Sequence, residues 1–529
     1  MKILTTAETR EADRLTTGKY GIASLSLMEN AGASIARFLA VHFSPLERRR
    51  IIVLCGKGNN GGDGFVAARK LRELRAQPLV FLFADAAELT GDTAENFRRL
   101  RAASIETTVI RDAVAWGNSR NSLAGASVIV DALLGTGLRG PVDGLLAHVI
   151  QDVNQHDQRT CVVSVDIPSG LSGDSGEVAG PAIAADYTIT FTAPKTGMIA
   201  AAARASVGRL AVADIGSPRE LIEEISQSKI RWLEPWELRS LPVGRKGDSN
   251  KGLYGHALIV AGSTGKAGAA ALAARGALRA GAGLVTVAAP EPVLATIAGF
   301  AAEIMTEPLH ATAAGTIARD VFDSGGFAKI LDGKSVLALG PGLTTQEETQ
   351  QFVRAIIASR PKAPVILDAD GLNAFAGRAG ELRDSRQMLA VTPHPGEMAR
   401  LVDSTVKDIQ SRRLEVARKA ASDWQAFVIL KGYQTVLAAP DGTAWINSTG
   451  NPGMSTGGTG DVLTGILAGL TAQFGAQSWP LTLARGVYLH GLAGDLAAEE
   501  FGEASLIASD VIRSIPAAFA QLRDAIQAL

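Results

Sequence analysis

The sequence predicts an α/β protein of two domains, and three observations carry that prediction. Short apolar runs rich in β-branched residues alternate with amphipathic stretches along most of the chain, the pattern of βαβ units. The runs are apolar on both faces rather than alternating, as expected of a parallel sheet covered by helices on each side. At 529 residues the chain exceeds what one hydrophobic core usually organises.

The elements follow in order. Ala7 to Ala40 reads as helical. Strands are expected at Ile51 to Cys55, Leu79 to Phe83, Ser127 to Val130, Cys161 to Val165 and Tyr187 to Phe191, within a three-layer sandwich that closes with Leu210 to Ile215. Gly216-Ser217-Pro218 then opens a charged helical stretch, Arg219 to Lys229, without a strong apolar face. This places a first domain at 1–216, a linker at 217–232 and a second domain at 233–529. The alternation restarts with Ala257 to Ala261, Leu284 to Ala288, Val336 to Leu339, Val365 to Leu367, Leu389 to Thr392, Phe427 to Leu430 and Thr435 to Ala438. Val436 to Ala438, Asp441-Gly442 and Thr443 to Ile446 form a β-hairpin near the sheet edge. No internal sequence repeat relates the halves.

Composition narrows the function classes. Hydrophobic residues make up 47% of the chain, and its 57 glycines follow no triplet period, so tight turns are expected rather than a fibre. With 52 basic against 53 acidic side chains, no whole-chain charge favours nucleic acid or an anionic membrane. The two cysteines, Cys55 and Cys161, both fall inside apolar runs, which favours buried strand thiols over a disulfide or metal pair and fits a reducing cytoplasm. The first residues are too charged for a signal peptide's apolar core, and no run reaches a membrane span, so neither secretion nor insertion is expected.

Two glycine-rich loops, each reaching an aspartate, carry the chemistry. The first, Gly56-Lys57-Gly58-Asn59-Asn60-Gly61-Gly62-Asp63-Gly64, follows a strand and leads into a helix, where backbone N–H groups can hold a phosphate. Gly56, Gly58 and Gly61 satisfy a dinucleotide-binding spacing, and Asp85 ends the next strand where a ribose-binding acid is expected. Asn59 and Asn60 add amide groups that a simple pyrophosphate loop does not require. Asp131 closes a later strand and precedes Gly135, Thr136, Gly137, Leu138, Arg139, Gly140 and Pro141, a segment whose arginine can pair with a phosphate. Asn60, Asp131 and Ser169 supply oxygen donors that can meet above the sheet around a cation. Only one of the three is formally charged, which favours a monovalent ion. Asp166 can hold a ribose or polar ring, or exchange a proton.

In the second half, strand ends run into Gly262-Ser263, Gly340-Pro341-Gly342, Asp368-Ala369-Asp370, Pro393-His394-Pro395-Gly396-Glu397 and Lys431-Gly432. In open α/β sheets such tips converge on one cleft. The second glycine loop, Gly457, Gly458, Thr459 and Gly460, presents successive N–H groups to a transferring phosphate. Asp461 then stands at a helix start, where a base can take a proton from a substrate hydroxyl.

Asn59-Asn60-Gly61-Gly62-Asp63-Gly64, Asp131 with Gly135-Thr136-Gly137, and Asp166-Ile167-Pro168-Ser169-Gly170 together resemble the NAD(P)H-hydrate epimerase family over about 1 to 215. The resemblance implies a Rossmann-like fold and interconversion of the R and S epimers at C6 of a hydrated nicotinamide ring. It makes Asn60, Asp131 and Ser169 potassium ligands. Asn59, Asn60, Gly61, Gly62 and Asp63, the 135–141 loop and Asp166 would bind the hydrated dinucleotide (NAD(P)HX). Asp166 is a candidate for proton transfer, as is Lys195, read as an exposed lysine.

Gly255 to Ser263, Pro393 to Glu397, Lys431-Gly432 and Gly457 to Asp461 resemble the ADP- or ATP-dependent NAD(P)H-hydrate dehydratase family, with a ribokinase-like fold, over about 233 to 529. The tandem order is that of the bacterial bifunctional repair enzymes. The likeness implies phosphoryl transfer from ADP, with Mg2+, to the C6 hydroxyl of the S-hydrate, followed by loss of phosphate. Asp461 would be the base. Lys431, Gly432, Tyr433, Gln434, Thr435 and Gly460 would bind the nucleotide, and Ala269, Gly342, His394 and Asp461 the hydrated substrate. Between two prolines, His394 has a rigid turn residue as its alternative reading, and its role would be binding rather than catalysis. Asn250-Lys251-Gly252 stands where the family often has His-Lys-Gly.

Three rival functions explain less. A dehydrogenase leaves Asn59-Asn60 and the second half without a role, and a vitamin or sugar kinase leaves the cation constellation idle. A non-enzymatic dinucleotide sensor needs neither catalytic constellation. NAD(P)HX and ADP are the expected partners, without nucleic acid or membrane. A homo-oligomer is expected, although the 5% aromatic content marks no oligomer patch.

Overall fold

Ile51–Cys55 is buried along its whole length, as a central strand covered on both faces must be. It is β1 of a seven-stranded sheet completed by β2 (Leu79–Leu82), β3 (Thr107–Val109), β4 (Val128–Ala132), β5 (Cys161–Val165), β6 (Tyr187–Phe191) and β7 (Arg209–Ala213). The order is β3-β2-β1-β4-β5-β6-β7, with every pair parallel. The sheet therefore reverses direction between β1 and β4, which opens a crevice at their carboxyl ends. Two apolar clusters, one containing Val53, Val130 and Val163 and the other Ile52, Ile129 and Val162, occupy opposite faces and make the predicted three layers. The structure is a computed structural model and describes all residues except Arg139, Asp157, Gln158, Val243, Lys246, Ser385, Gln387, Ala476, Gln477 and Leu529.

The chain divides into two units, Met1–Ser228 and Lys229–Leu529. The second holds a ten-stranded sheet, built from β8 (Ile230–Leu233), β9 (His256–Val260), β10 (Leu284–Pro290), β11 (Met305–Leu309), β12 (Val336–Leu339), β13 (Val365–Leu367), β14 (Leu389–Val391), β15 (Phe427–Leu430), β16 (Val436–Ala438) and β17 (Ala444–Asn447). Its order is β11-β10-β9-β12-β13-β14-β15-β16-β17-β8. Pairs from β11 to β15 are parallel, β16 is antiparallel to both neighbours, and β17 pairs in parallel with β8. The reversal lies between β9 and β12. Apolar clusters again cover both faces.

Several expectations change in detail. The single N-terminal helix is two, Thr6–Gly18 and Ser24–Phe43, because Gly21 between them takes a positive φ of 70°. The stretch 217–232 is divided between the units. Arg219–Ile225 is a helix of the first, tied to the N-terminus where Lys2 donates to the Glu223 carbonyl at 2.8 Å, and Ile230 already pairs with Ala444 in the second. The Val436 hairpin is present, turning at Gly442 with φ 85°, but β8 lies outside it as the edge strand. Cys55 is a buried thiol and Cys161 a partly buried one, and both are free. Among the described residues no helix is long and apolar enough to cross a membrane.

Candidate active sites

A cavity of about 1260 Å3 opens at the carboxyl ends of the first sheet. Asn59, Asn60 and Asp63 reach its wall because the Asn59–Glu73 helix starts directly after β1. Gly61 and Gly62 instead permit close packing. A Cβ on Gly61 would lie 1.9 Å from the Gly56 carbonyl, and one on Gly62 2.6 Å from Met28 Sδ. Gly135, Thr136, Gly137 and Leu138 line the same cavity, and Arg10 donates to the Thr136 carbonyl at 2.9 Å. Gly140, with φ 85°, and Pro141 continue that loop away from the cavity wall, and Arg139 lies outside the described residues. Asp85 also lines the cavity, but it caps the turn Ala86–Glu88 and pairs with Arg111 at 2.9 Å.

Asp131 and Ser169 are fully buried beneath this wall. Asp131 accepts from Ser169 Oγ at 2.5 Å, from the Ser169 N–H at 2.9 Å and from Ser164 Oγ at 2.8 Å. Burial pushes its carboxyl up in spite of those bonds. Asn60 Nδ2 donates to the Leu134 carbonyl at 2.9 Å, while its buried Oδ1 has no partner. A buried acceptor without a donor is costly, and a cation is one way to satisfy it. The donors gathered here, a carboxylate, a hydroxyl, an amide oxygen and the Leu134 carbonyl, are all oxygen with a single formal charge. That set fits a hard monovalent ion.

Lys195 is fully buried, contrary to its reading as an exposed side chain. Its ammonium donates to Asp166, to Thr190 Oγ1 at 2.8 Å and to the Phe191 carbonyl at 3.3 Å. Asp166 takes φ 62°, unusual for a residue with a side chain, and also accepts from Thr190 Oγ1 at 3.1 Å and the Phe191 N–H at 3.2 Å. Such backbone strain concentrates at functional sites. Asp63 and Asp13 complete this charged group. Burial raises the Asp63 carboxyl well above the usual range, helped by Asp166 and Asp13. Asp13 is pushed up to about 6 by desolvation, against the lowering effect of Lys195 and with Asp166 raising it. Asp13 and Ser164 were missed in the sequence, since neither belongs to a glycine loop or a recognisable motif.

In the second unit, the Thr459–Phe474 helix begins at Gly458, whose φ of 91° only glycine adopts readily. The first N–H groups of a helix lack intrahelical acceptors, so this start presents donors to an anion. Thr459 closes the turn by donating to the Met454 and Thr456 carbonyls at 2.8 and 3.0 Å. His490, which no motif marked, meets the Thr459 carbonyl through Nε2 at 2.9 Å, and burial lowers it to about 4, so it is neutral and donates there.

Asp461 is pushed up to about 7, first by burial and then by Asp368, with Lys431 opposing and Asp370 and Glu397 adding to the rise. A Cβ on Gly460 would lie 3.4 Å from Lys431 Nζ, so loop and lysine are in contact range. Burial pushes the Asp368 carboxyl up, but Lys431 at 2.6 Å and Thr464 Oγ1 at 2.6 Å outweigh it and hold it low. Glu397 lies 3.8 Å from Lys431 and accepts the His394 N–H at 2.8 Å. Asp368 and Glu397 stand in quoted strand-end motifs but received no role from them.

His394 does cap a turn, as its prolines suggested: its Nδ1 accepts from the N–H groups of Gly396 at 2.9 Å and Glu397 at 3.3 Å. Burial, then Lys431 and Arg400, lower its pKa, so it stays neutral with the proton on Nε2. Ala269 and Gly342 meet at the β9/β12 reversal, where a Cβ on Gly342 would lie 3.0 Å from Ala269 Cβ and Ser263 Oγ donates to the Gly342 carbonyl at 2.7 Å. Gly432 has φ 136° and Thr435 Oγ1 donates back to its carbonyl at 3.0 Å, which folds Tyr433 and Gln434 into a tight turn with Tyr433 exposed. Asn250 caps the Lys251–Tyr254 turn through Gly252 at 3.0 Å.

Residues 257–517 match the family model described as NAD(P)H-hydrate dehydratase, and residues 24–197 match that of the YjeF-related protein N-terminus. The bifunctional NAD(P)H-hydrate repair enzyme of Moorella thermoacetica is 42% identical over 530 residues, covering 100% of this chain and 98% of its own length. That of Thermofilum pendens is 41% identical over 528 residues, covering 99% and 97%. The solved structure of an ADP/ATP-dependent NAD(P)H-hydrate dehydratase from Bacillus subtilis, co-crystallized with ATP/Mg2+, is 32% identical with a TM-score of 0.47 and covers 55% of this chain and 98% of its own.

Proposed function

The chain belongs to the bifunctional NAD(P)H-hydrate repair enzyme family, and from that premise we propose that its first unit epimerises NAD(P)HX at C6 while its second dehydrates the S epimer with ADP. The observation that carries the second assignment is a carboxyl poised at about 7 at a glycine-loop helix start, beside a buried lysine. A base is most effective when its pKa lies near the working pH.

In the dehydration, Asp461 takes the C6 hydroxyl proton as that oxygen attacks the terminal phosphorus of ADP. A new O–P bond forms, the bridging P–O bond breaks and AMP leaves. Phosphate is then expelled from C6 with the C–O electron pair while C5 loses a proton, which restores the ring double bond of NAD(P)H. Phosphorylation turns a poor leaving group into a good one. The loop Gly457, Gly458, Thr459 and Gly460 aims N–H groups at the phosphoryl oxygens, where charge develops. Lys431 adds a positive charge, held in place by Asp368. Lys431 to Thr435 contact the nucleotide, Mg2+ accompanies its phosphates, and Ala269, Gly342 and His394 face the hydrated ring, His394 through its Nε2–H.

In the first unit Asn60, Asp131 and Ser169 would hold K+, which would supply a positive charge for polar substrate groups beside the glycine loop. Asn59, Asp63 and the loop from Gly135 to Leu138 bind the dinucleotide at the sheet's switch point, the usual place for such ligands. Asp166 and Lys195 serve the hydrated ring, Lys195 as the proton donor. Purified protein mixed with S-hydrate and ADP should release AMP and phosphate as reduced-nicotinamide absorbance returns, and should consume R-hydrate as well. Return of absorbance without any nucleotide turnover would reject the phosphorylation route.

A further inference from the structure

We infer that Asp13, on the N-terminal helix, is the second proton-transfer group of the first cavity, exchanging a proton with water or hydroxyl at C6 while Lys195 serves from the other element. The inference deepens the epimerase reading and rests on it.

The N-terminal segment is built into this site. The Leu4 N–H donates to the Pro194 carbonyl at 3.0 Å and the Thr196 N–H donates to the Leu4 carbonyl at 2.8 Å, so the chain brackets Lys195 on both sides. Thr6 is pinned through its N–H to Asp174 at 2.7 Å. The helix that starts there carries Asp13 into the cavity wall shared by Asp63, Asp166 and Lys195.

Asp13, Asp63 and Asp166 line the same cavity as Lys195, and of the three it is Asp166 that pairs with its ammonium. The ammonium of Lys195 has three donors, and Asp166, Thr190 and the Phe191 carbonyl take them. Asp13 is exposed on the cavity side, and among the described residues no hydrogen-bond donor meets its side chain. None meets that of Asp63 either, which is only 8% exposed and turned to the cavity. Two carboxyls without a protein donor on one wall, beside a saturated ion pair, suit a ligand that brings hydroxyl groups able both to donate and to accept. A hydroxyl-bearing ring does so.

Inversion at C6 needs an acid where the hydroxyl departs and a base where water returns. As the C6–O bond breaks, its electron pair leaves on oxygen, which takes a proton from Lys195. Water then forms a new C–O bond on the opposite face of the ring, and its released proton passes to the carboxylate of Asp13. The proton returns from Asp13 to Lys195 through solvent in the cavity before the next cycle, so the reaction consumes nothing. The charged groups that act on Asp13 are Lys195 and Asp166, with Asp63 on the same cavity wall, and its helix neighbours Arg10 and Arg14 have other partners. Arg10 is committed to Thr136 and Arg14 to Glu11.

The test is epimer exchange followed directly, by chromatography of R- and S-hydrate without nucleotide, corrected for the spontaneous reaction. Asp13→Asn should lower kcat about 100-fold, the usual scale for a lost acid or base, with KM within about threefold. It should also erase the acid limb that the unaltered protein shows below about pH 6. Asp13→Glu should restore part of the rate together with a pH limb. A kcat within about threefold of the unaltered protein, or the same acid limb in Asp13→Asn, would overturn the inference. Failure of the unaltered protein to exchange the epimers would instead reject the epimerase reading.

Discussion

Lys431, immediately after β15, donates a 2.6 Å hydrogen bond to Asp368, immediately after β13, across the end of the intervening strand β14. Both side chains are largely buried, with Lys431 18% and Asp368 1% exposed. Removing one partner of such a pair strands the other charge in a poorly solvated site. Asp368→Ala should therefore destabilise the second unit by about 3–5 kcal/mol. Chemical denaturation followed by Trp479, which is buried in that unit, measures it. The same variant should lose dehydration and keep epimer exchange.

The pH dependence of dehydration follows from Asp461. Only its ionised form accepts a proton, and its carboxyl is raised to about 7 by burial and by Asp368. The rate of S-hydrate dehydration should climb with pH through about 7 and level off above it, about tenfold slower one unit below the midpoint than on the plateau. A profile already flat from pH 5 upward would show that a different group carries the proton.

The proposed cation site predicts a thermal effect. A ligand that binds only the folded state raises its stability, and K+ held by the unpartnered Asn60 Oδ1 with Asp131 and Ser169, as proposed, would be such a ligand. Replacing choline by potassium at constant ionic strength should raise the unfolding midpoint of the first unit. The shift should vanish in Asp131→Asn, read by differential scanning calorimetry.

Glycine loops differ in what they tolerate. A Cβ at Gly61 would stand 1.9 Å from the Gly56 carbonyl, a backbone atom that cannot give way. Gly61→Ala should abolish epimer exchange by displacing Asn60 and Asp63, while dehydration of S-hydrate stays within about twofold, since small perturbations in separate units are independent.

Much of this was legible because apolar runs such as Ile51–Cys55 have no other stable place than a covered strand. β3 and β11 were not, since they lie at sheet edges and are mostly exposed or half-buried, so their sequences carry little apolar signal. β8 escaped because its apolar residues sit in a charged neighbourhood that reads as a linker. Both glycine loops announced themselves, as their backbones require glycine at Gly61 and Gly458. Asp13 and Asp368 did not, for a lone aspartate gains its chemistry only from neighbours that folding brings from distant elements. Lys195 was misjudged for the same reason: its partner Asp166 is supplied by another strand end.

The measurement that bears most directly on two separate chemistries in one chain is the pair of activities of Asp461→Asn, assayed in one preparation. ADP-dependent conversion of S-hydrate to NAD(P)H should fall by at least about 100-fold, while exchange of R- and S-hydrate runs at the unaltered rate. Full dehydration by this variant, or loss of both activities with the fold intact, would contradict the assignment of proton removal to Asp461 and of the two reactions to two sites.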